Sequence, residues 1–145
     1  KLKKVVQEGA LITTYEGHGG EIGWGDERFL DVPTINGWTN SERLGVFVTA
    51  TCEFTKYDDP GRISAGELCL LNPDGAAICL FTTTRPVYQY SNERLIQAFF
   101  EEAFVKIIKS YNYKNLILKK NKRKGFQKRL GFSQKFITIQ VLKIN

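Results

Sequence analysis

Three short apolar runs, each ended abruptly by polar residues or glycine, constrain the fold of this 145-residue chain most. They are residues 10–15 (ALITTY), 45–50 (GVFVTA) and 76–81 (AAICLF). Unbroken runs of this kind, rather than alternating ones, read as strands of a parallel sheet covered on both faces. Between the second and third runs, Ser64 with Glu67 three residues on makes a capping box for a helix. Leu68, Leu70 and Leu71 supply its apolar side, and Asn72-Pro73-Asp74-Gly75 ends it. Asn92 is expected to cap a second helix over 92–104, with Leu95, Phe99, Ala103 and Phe104 on one face. Residues 21–43 are rich in Gly, Asp, Asn, Trp and Pro and show no sustained period, which predicts a long loop of functional character. The order strand, loop, strand, helix, strand, helix predicts an α/β sandwich. Only three strands are visible, so the sheet is expected to be incomplete at the N-terminus and to continue upstream of Lys1. The absence of Met points the same way, to a processed or truncated chain.

Charge divides the chain in two. The net charge is +6 overall, but residues 1–104 hold all fifteen acidic residues against nine basic ones, a net of −6. Residues 105–145 hold twelve basic residues and no acid, a net of +12. The expected organisation is therefore a domain over 1–104 and an anomalous basic tail over 105–145. The tail carries Lys119-Lys120-Asn121-Lys122-Arg123-Lys124 and a strand-like run over 136–142. It reads as an arm for nucleic acid or membrane, as a solvated helical face, or as the product of a frame slip or divergence after about residue 104. Lys, Asn, Ile, Tyr and Phe are the residues that AT-rich codons encode, which favours the third reading. Nucleic acid is accordingly not expected as a partner. No run approaches the roughly twenty apolar residues of a membrane-spanning helix, and Lys1-Leu2-Lys3-Lys4 does not open a signal peptide.

The chemistry-bearing residues are few. Cys52, Cys69 and Cys79 form no C-x-x-C pair, so neither a disulfide framework nor a zinc site is expected, and no cofactor. Cys69 and Cys79 read as small core residues. His18, the only histidine, directly follows the first strand, and Cys52 directly follows the second. In a parallel sheet both C-terminal strand ends open on one edge, where the active sites of α/β folds lie. A thiol and an imidazole brought together there make a nucleophile and its base. Gly19 lets backbone approach a substrate, so the Gly19 and Cys52 amides are candidate oxyanion donors. The His-Gly-Gly sequence is also found in esterases, but the Gly-x-Ser-x-Gly elbow of that fold is missing.

Two stretches carry a family resemblance: Tyr15-Glu16-Gly17-His18-Gly19-Gly20-Glu21-Ile22-Gly23-Trp24 and Phe47-Val48-Thr49-Ala50-Thr51-Cys52-Glu53-Phe54. They resemble the His and Cys motifs of the gingipain-like (C25) cysteine peptidases. The resemblance runs from about residue 9 to 104 and includes Asp58-Asp59-Pro60, Ser64-Ala65-Gly66-Glu67, Leu71-Asn72-Pro73 and Phe81-Thr82-Thr83-Thr84-Arg85. It implies a caspase-like three-layer α/β/α sandwich with a mainly parallel sheet, His18 as base and acid, Cys52 as nucleophile, and a thioester intermediate. Within the family the similarity is to the sortase-like enzymes of the Bacteroidetes type IX secretion system. That implies cleavage of the C-terminal signal of exported proteins at the outer-membrane surface. The implied partners are those signal domains, outer-membrane secretion proteins and a lipopolysaccharide-type acceptor. The alternative is an inactive caspase-like scaffold of the same machinery. Glu21, Trp24 and Glu53 are expected to line the substrate pocket, against a bland reading in which Trp24 packs the loop and the carboxylates are solvated. Asp58 and Asp59 are expected to set a turn or bond loop amides.

Overall fold

A computed structural model describes residues 2–106, 116–121 and 135–141. Strands β1 (Ile12–Glu16), β5 (Gly45–Ala50) and β6 (Ala77–Phe81) coincide closely with the three apolar runs. They pair in parallel in the order β6-β5-β1. On the far side of β1 lies β8 (Lys135–Val141), antiparallel to it, and beyond that β7 (Leu116–Asn121). The sheet is thus mixed, with β8 on the side of β1 away from β5. The strand expected over 136–142 is present as β8. Lys119, Lys120 and Asn121 lie in β7 and not on a helical face; Lys122, Arg123 and Lys124 lie outside the described residues.

Alternation along β1 and β5 divides the sheet into two faces. On one, Tyr15 and Phe47 join Trp24, Leu30, Ile35, Trp38 and Phe54 in the main core. Three helices close that face: α1 (Leu2–Glu8), α2 (Val32–Asn36) and α3 (Ala65–Leu71), through Val6, Ile35, Ala65 and Cys69. On the other face, Ile12 and Val48 pack under Ile96, Phe99 and Phe100 of α4 (Gln89–Phe100). Helices on both sides of a central sheet give the α/β/α sandwich.

Local chemistry sets the element ends. The α3 capping box is formed, the Glu67 carboxylate accepting from the Ser64 N–H at 2.8 Å. The expected cap at Asn92 is not. Helix α4 begins three residues earlier, at Gln89, where the Gln89 amide donates to Glu93 one turn on (2.9 Å), and Asn92 is buried inside the helix. At its C-terminal end α4 widens into a π-helical turn over Glu101–Lys106.

Residues 21–43 also depart from expectation. With β2 (Gly19–Gly20) they build a small three-stranded sheet, to which they contribute β3 (Gly23–Trp24) and β4 (Leu30–Asp31), and they then form α2 and a 3₁₀ turn at Ser41–Arg43. Irregularly spaced apolar anchors, Trp24, Leu30, Ile35 and Trp38, all fully buried, turn this segment inward. Such spacing leaves no period to read. Asp31 caps α2, accepting from the Thr34 N–H (2.9 Å); the Thr34 side chain first, and this N–H second, hold its carboxyl below the usual range, and Pro33 stands in the first turn. Helix α1 had no counterpart in the sequence reading. Cys79, expected in the core, is exposed, because β6 is the outermost strand on its side of the sheet.

Candidate active site

Register places the two candidate catalytic residues. Glu16 at the end of β1 lies opposite Ala50 at the end of β5. His18 and Cys52 each follow two residues later, on neighbouring parallel strands roughly 4.8 Å apart, so both leave the sheet at one edge. Backbone bonds join the two loops, since the Gly17 N–H donates to the Ala50 carbonyl at 3.2 Å.

Gly19 is where the loops touch. A Cβ there would stand 2.2 Å from the Thr51 hydroxyl oxygen and 3.0 Å from the Gly23 carbonyl oxygen. Only glycine allows the residue after His18 to lie against the residue before Cys52. The His18 carbonyl is fixed from within, accepting from the Tyr15 hydroxyl (2.7 Å) and from the Gly25 N–H (2.8 Å). Tyr15 is fully buried and stacks on Trp24, centroids 4.7 Å apart and planes 9° from parallel. Burial, then Glu27 and Asp26, push its phenol well above the ordinary range, so it stays protonated and donating.

Cys52 is half-buried, and its thiol donates to the Val87 carbonyl at 3.7 Å. Glu53 follows with φ +46°, a backbone region that costs a non-glycine residue on the order of 1 kcal/mol or more. A rail from residue 82 to 88 holds this turn. The Thr83 hydroxyl donates to the Thr51 carbonyl, and the Glu53 and Thr55 N–H groups donate to the Arg85 (3.4 Å) and Thr83 (3.3 Å) carbonyls. Arg85 forks onto the Asp58 carboxylate, which lowers the Asp58 pKa to about 2. The neighbouring Asp59 carboxylate accepts from the Gly61 N–H at 2.9 Å. Thr82-Thr83-Thr84-Arg85 belongs to a block of the family resemblance whose role the sequence does not show. Nothing local marks it, because its partners lie about thirty residues away.

The three expected pocket residues take other positions. Trp24 is fully buried against Tyr15, Phe47 and Phe54 and presents no wall to a ligand, because a bulky indole gains most by filling the core under β1. Glu21 accepts from Lys56 (2.7 Å) and Arg62 (3.2 Å), and its carbonyl accepts from the Ala65 N–H, which ties the β2–β3 hairpin to the start of α3. Glu53 pairs with Lys56 at 3.4 Å. Beside His18 is an open groove of about 500 Å³, walled by the glycines of the hairpin with Ile22, Asp26 and Arg28. Those three were not singled out from sequence. Cys69, with its buried thiol pushed far up, is unsuited to nucleophilic chemistry. Among the described residues no group of His, Cys, Asp and Glu is placed to hold a metal ion.

A central sheet with helices on both faces, together with the family match, defines a cysteine-peptidase-like domain of the caspase-like fold. The family model of Peptidase family C25 matches residues 1–130, and the chain belongs to that family. No curated protein and no solved structure matches it.

Proposed function

We propose that the chain is the catalytic region of a cysteine endopeptidase in which His18 and Cys52 form the working dyad. The observation that carries this is their equal register beyond the paired ends of β1 and β5. His18 takes the Cys52 proton, and the thiolate attacks the scissile carbonyl carbon. The carbonyl π pair moves to oxygen, where the Gly19 and Cys52 amides donate to it. Collapse breaks the C–N bond, and His18 returns its proton to the departing amine. Water or an amine then attacks the thioester, with His18 as base, and Cys52 leaves as the thiol.

For substrate class we favour the C-terminal secretion signal of type IX-exported proteins, as handled by a PorU-like sortase. The support is the run of matched motif blocks from about residue 9 to 104. On that reading the enzyme works at the cell surface beside outer-membrane secretion proteins and passes the new C-terminus to water or to a lipopolysaccharide-type amine. Replacing Cys52 or His18 with Ala is expected to abolish processing of a signal-bearing protein. Iodoacetamide is expected to label Cys52 faster than the exposed Cys79, and to do so only while His18 is present. Undiminished processing in both variants, or labelling of Cys52 no faster than that of Cys79, refutes the roles and leaves the inert scaffold.

A further inference from the structure

We infer that Tyr15 is a positioning residue that aims the Gly19 N–H as an oxyanion donor, acting through the His18 carbonyl. The inference rests on the dyad reading above and deepens it.

The His18–Gly19 peptide is one planar trans unit, so its carbonyl oxygen and its N–H point in opposite directions. The Tyr15 hydroxyl and the Gly25 N–H both draw the His18 carbonyl oxygen inward, toward β3 and the core. The Gly19 N–H must then point outward. The ladder between β2 and β3 gives the same direction independently. Gly19 lies opposite Trp24 and Gly20 opposite Gly23. With the Gly25 N–H bonded to the His18 carbonyl, antiparallel alternation makes Gly19/Trp24 a non-hydrogen-bonded pair. That turns the Gly19 N–H away from β3, while the Gly19 Cα lies against the Thr51 hydroxyl, next to Cys52.

Two donors on one carbonyl hold this peptide more firmly than the ladder bond alone. Without the phenol the His18 carbonyl loses one of these two donors, at the mouth of a glycine-rich turn. Tyr15 itself cannot swing away, because its ring is clamped on Trp24 and its edge abuts Gly25, where a Cβ would come within 3.4 Å of the phenol oxygen. The feature is therefore built from β1 outward: a buried ring, a hydroxyl at fixed reach, a fixed peptide and an aimed amide.

The test is Tyr15→Phe, which keeps the ring and removes the donor. The readouts are turnover of a fluorogenic peptide spanning a C-terminal signal junction and alkylation of Cys52 by iodoacetamide. Alkylation needs the thiolate but forms no oxyanion. Removal of an oxyanion-hole donor outright costs about 100- to 1,000-fold, so a mis-aimed donor is expected to lower kcat by about 10- to 100-fold. KM should be little changed, and the rate and pH profile of alkylation should match wild type. Placing 4-aminophenylalanine at position 15, a weaker donor of the same shape, is expected to give intermediate turnover and covers the case in which Tyr15→Phe lacks a wild-type melting transition. Wild-type kcat in these variants, or alkylation that falls in step with turnover, overturns the inference while leaving the dyad intact. A wild-type chain with neither turnover nor selective alkylation overturns the dyad reading together with it.

Discussion

The two faces of the sheet are unequal. Among the described residues, the face under α1, α2 and α3 buries twelve in one cluster, three of its aromatic rings meeting Trp24. On the face under α4 the hydrophobic cluster is smaller among the described residues: Ile12 and Val48 are buried in it, and Phe99 and Phe100 are only partly buried. The candidate site draws on the first face. Tyr15 and Trp24 belong to that core and carry the His18 turn, and Phe54 anchors the chain just beyond Cys52. A site that must hold two loops in register to a fraction of an ångström is built over the face that is most completely packed.

Loss of Trp24 should show the inequality most strongly. Trp24→Ala leaves a large cavity between Tyr15, Phe47 and Phe54 and is expected to cost about 3–5 kcal/mol. Phe99→Ala on the opposite face should cost less, about 1–2 kcal/mol, since its ring is only partly buried. Urea denaturation of both variants measures the gap, and equal losses would break the comparison.

Gly19→Ala should separate stability from function. Its Cβ falls 2.2 Å from the Thr51 oxygen. Relief of that clash is expected to cost about 1–3 kcal/mol but to lower peptide turnover by about 100-fold or more, since the His18 and Cys52 loops are forced apart. Turnover within a factor of two of wild type would show that the close approach is not needed.

A smaller effect belongs to the Arg85–Asp58 pair that closes the rail over Cys52. Asp58 has its folded pKa depressed to about 2, against about 3.9 when unfolded. Its contribution to stability is therefore present above pH about 4 and is lost as pH falls toward 2. The wild-type advantage over Asp58→Asn in thermal melts should shrink across that window. Both partners are about half exposed, so the advantage should also fade with salt. The smallest effect is expected at the outer strand. Cys79→Ser should change stability by less than about 0.5 kcal/mol, and Cys79 should react with Ellman's reagent in the native state while Cys69 stays silent.

The legible parts of the chain were those with local causes. The β5 boundaries could be read from the apolar run, and α3 could be read from Ser64 and Glu67, because both signals lie within a few residues of their effect. Asn92 misled for a related reason. It is a good capping residue, but a buried position inside α4 outweighed the local preference. The inward turn of residues 21–43, the rail over the Cys52 turn and the exposure of Cys79 depend on partners distant in sequence or on a strand's rank in the sheet.

The sequence by itself determined that two apolar strands are followed closely by His18 and Cys52 and that glycines surround the histidine. A strand's length and end are properties of its own side chains. Only the tertiary structure decided that those strands are neighbours in matching register, that Trp24 fills the core instead of a pocket, and that Tyr15 reaches the His18 carbonyl. Pairing, burial and hydrogen-bond direction are shared between segments, and no single segment encodes them.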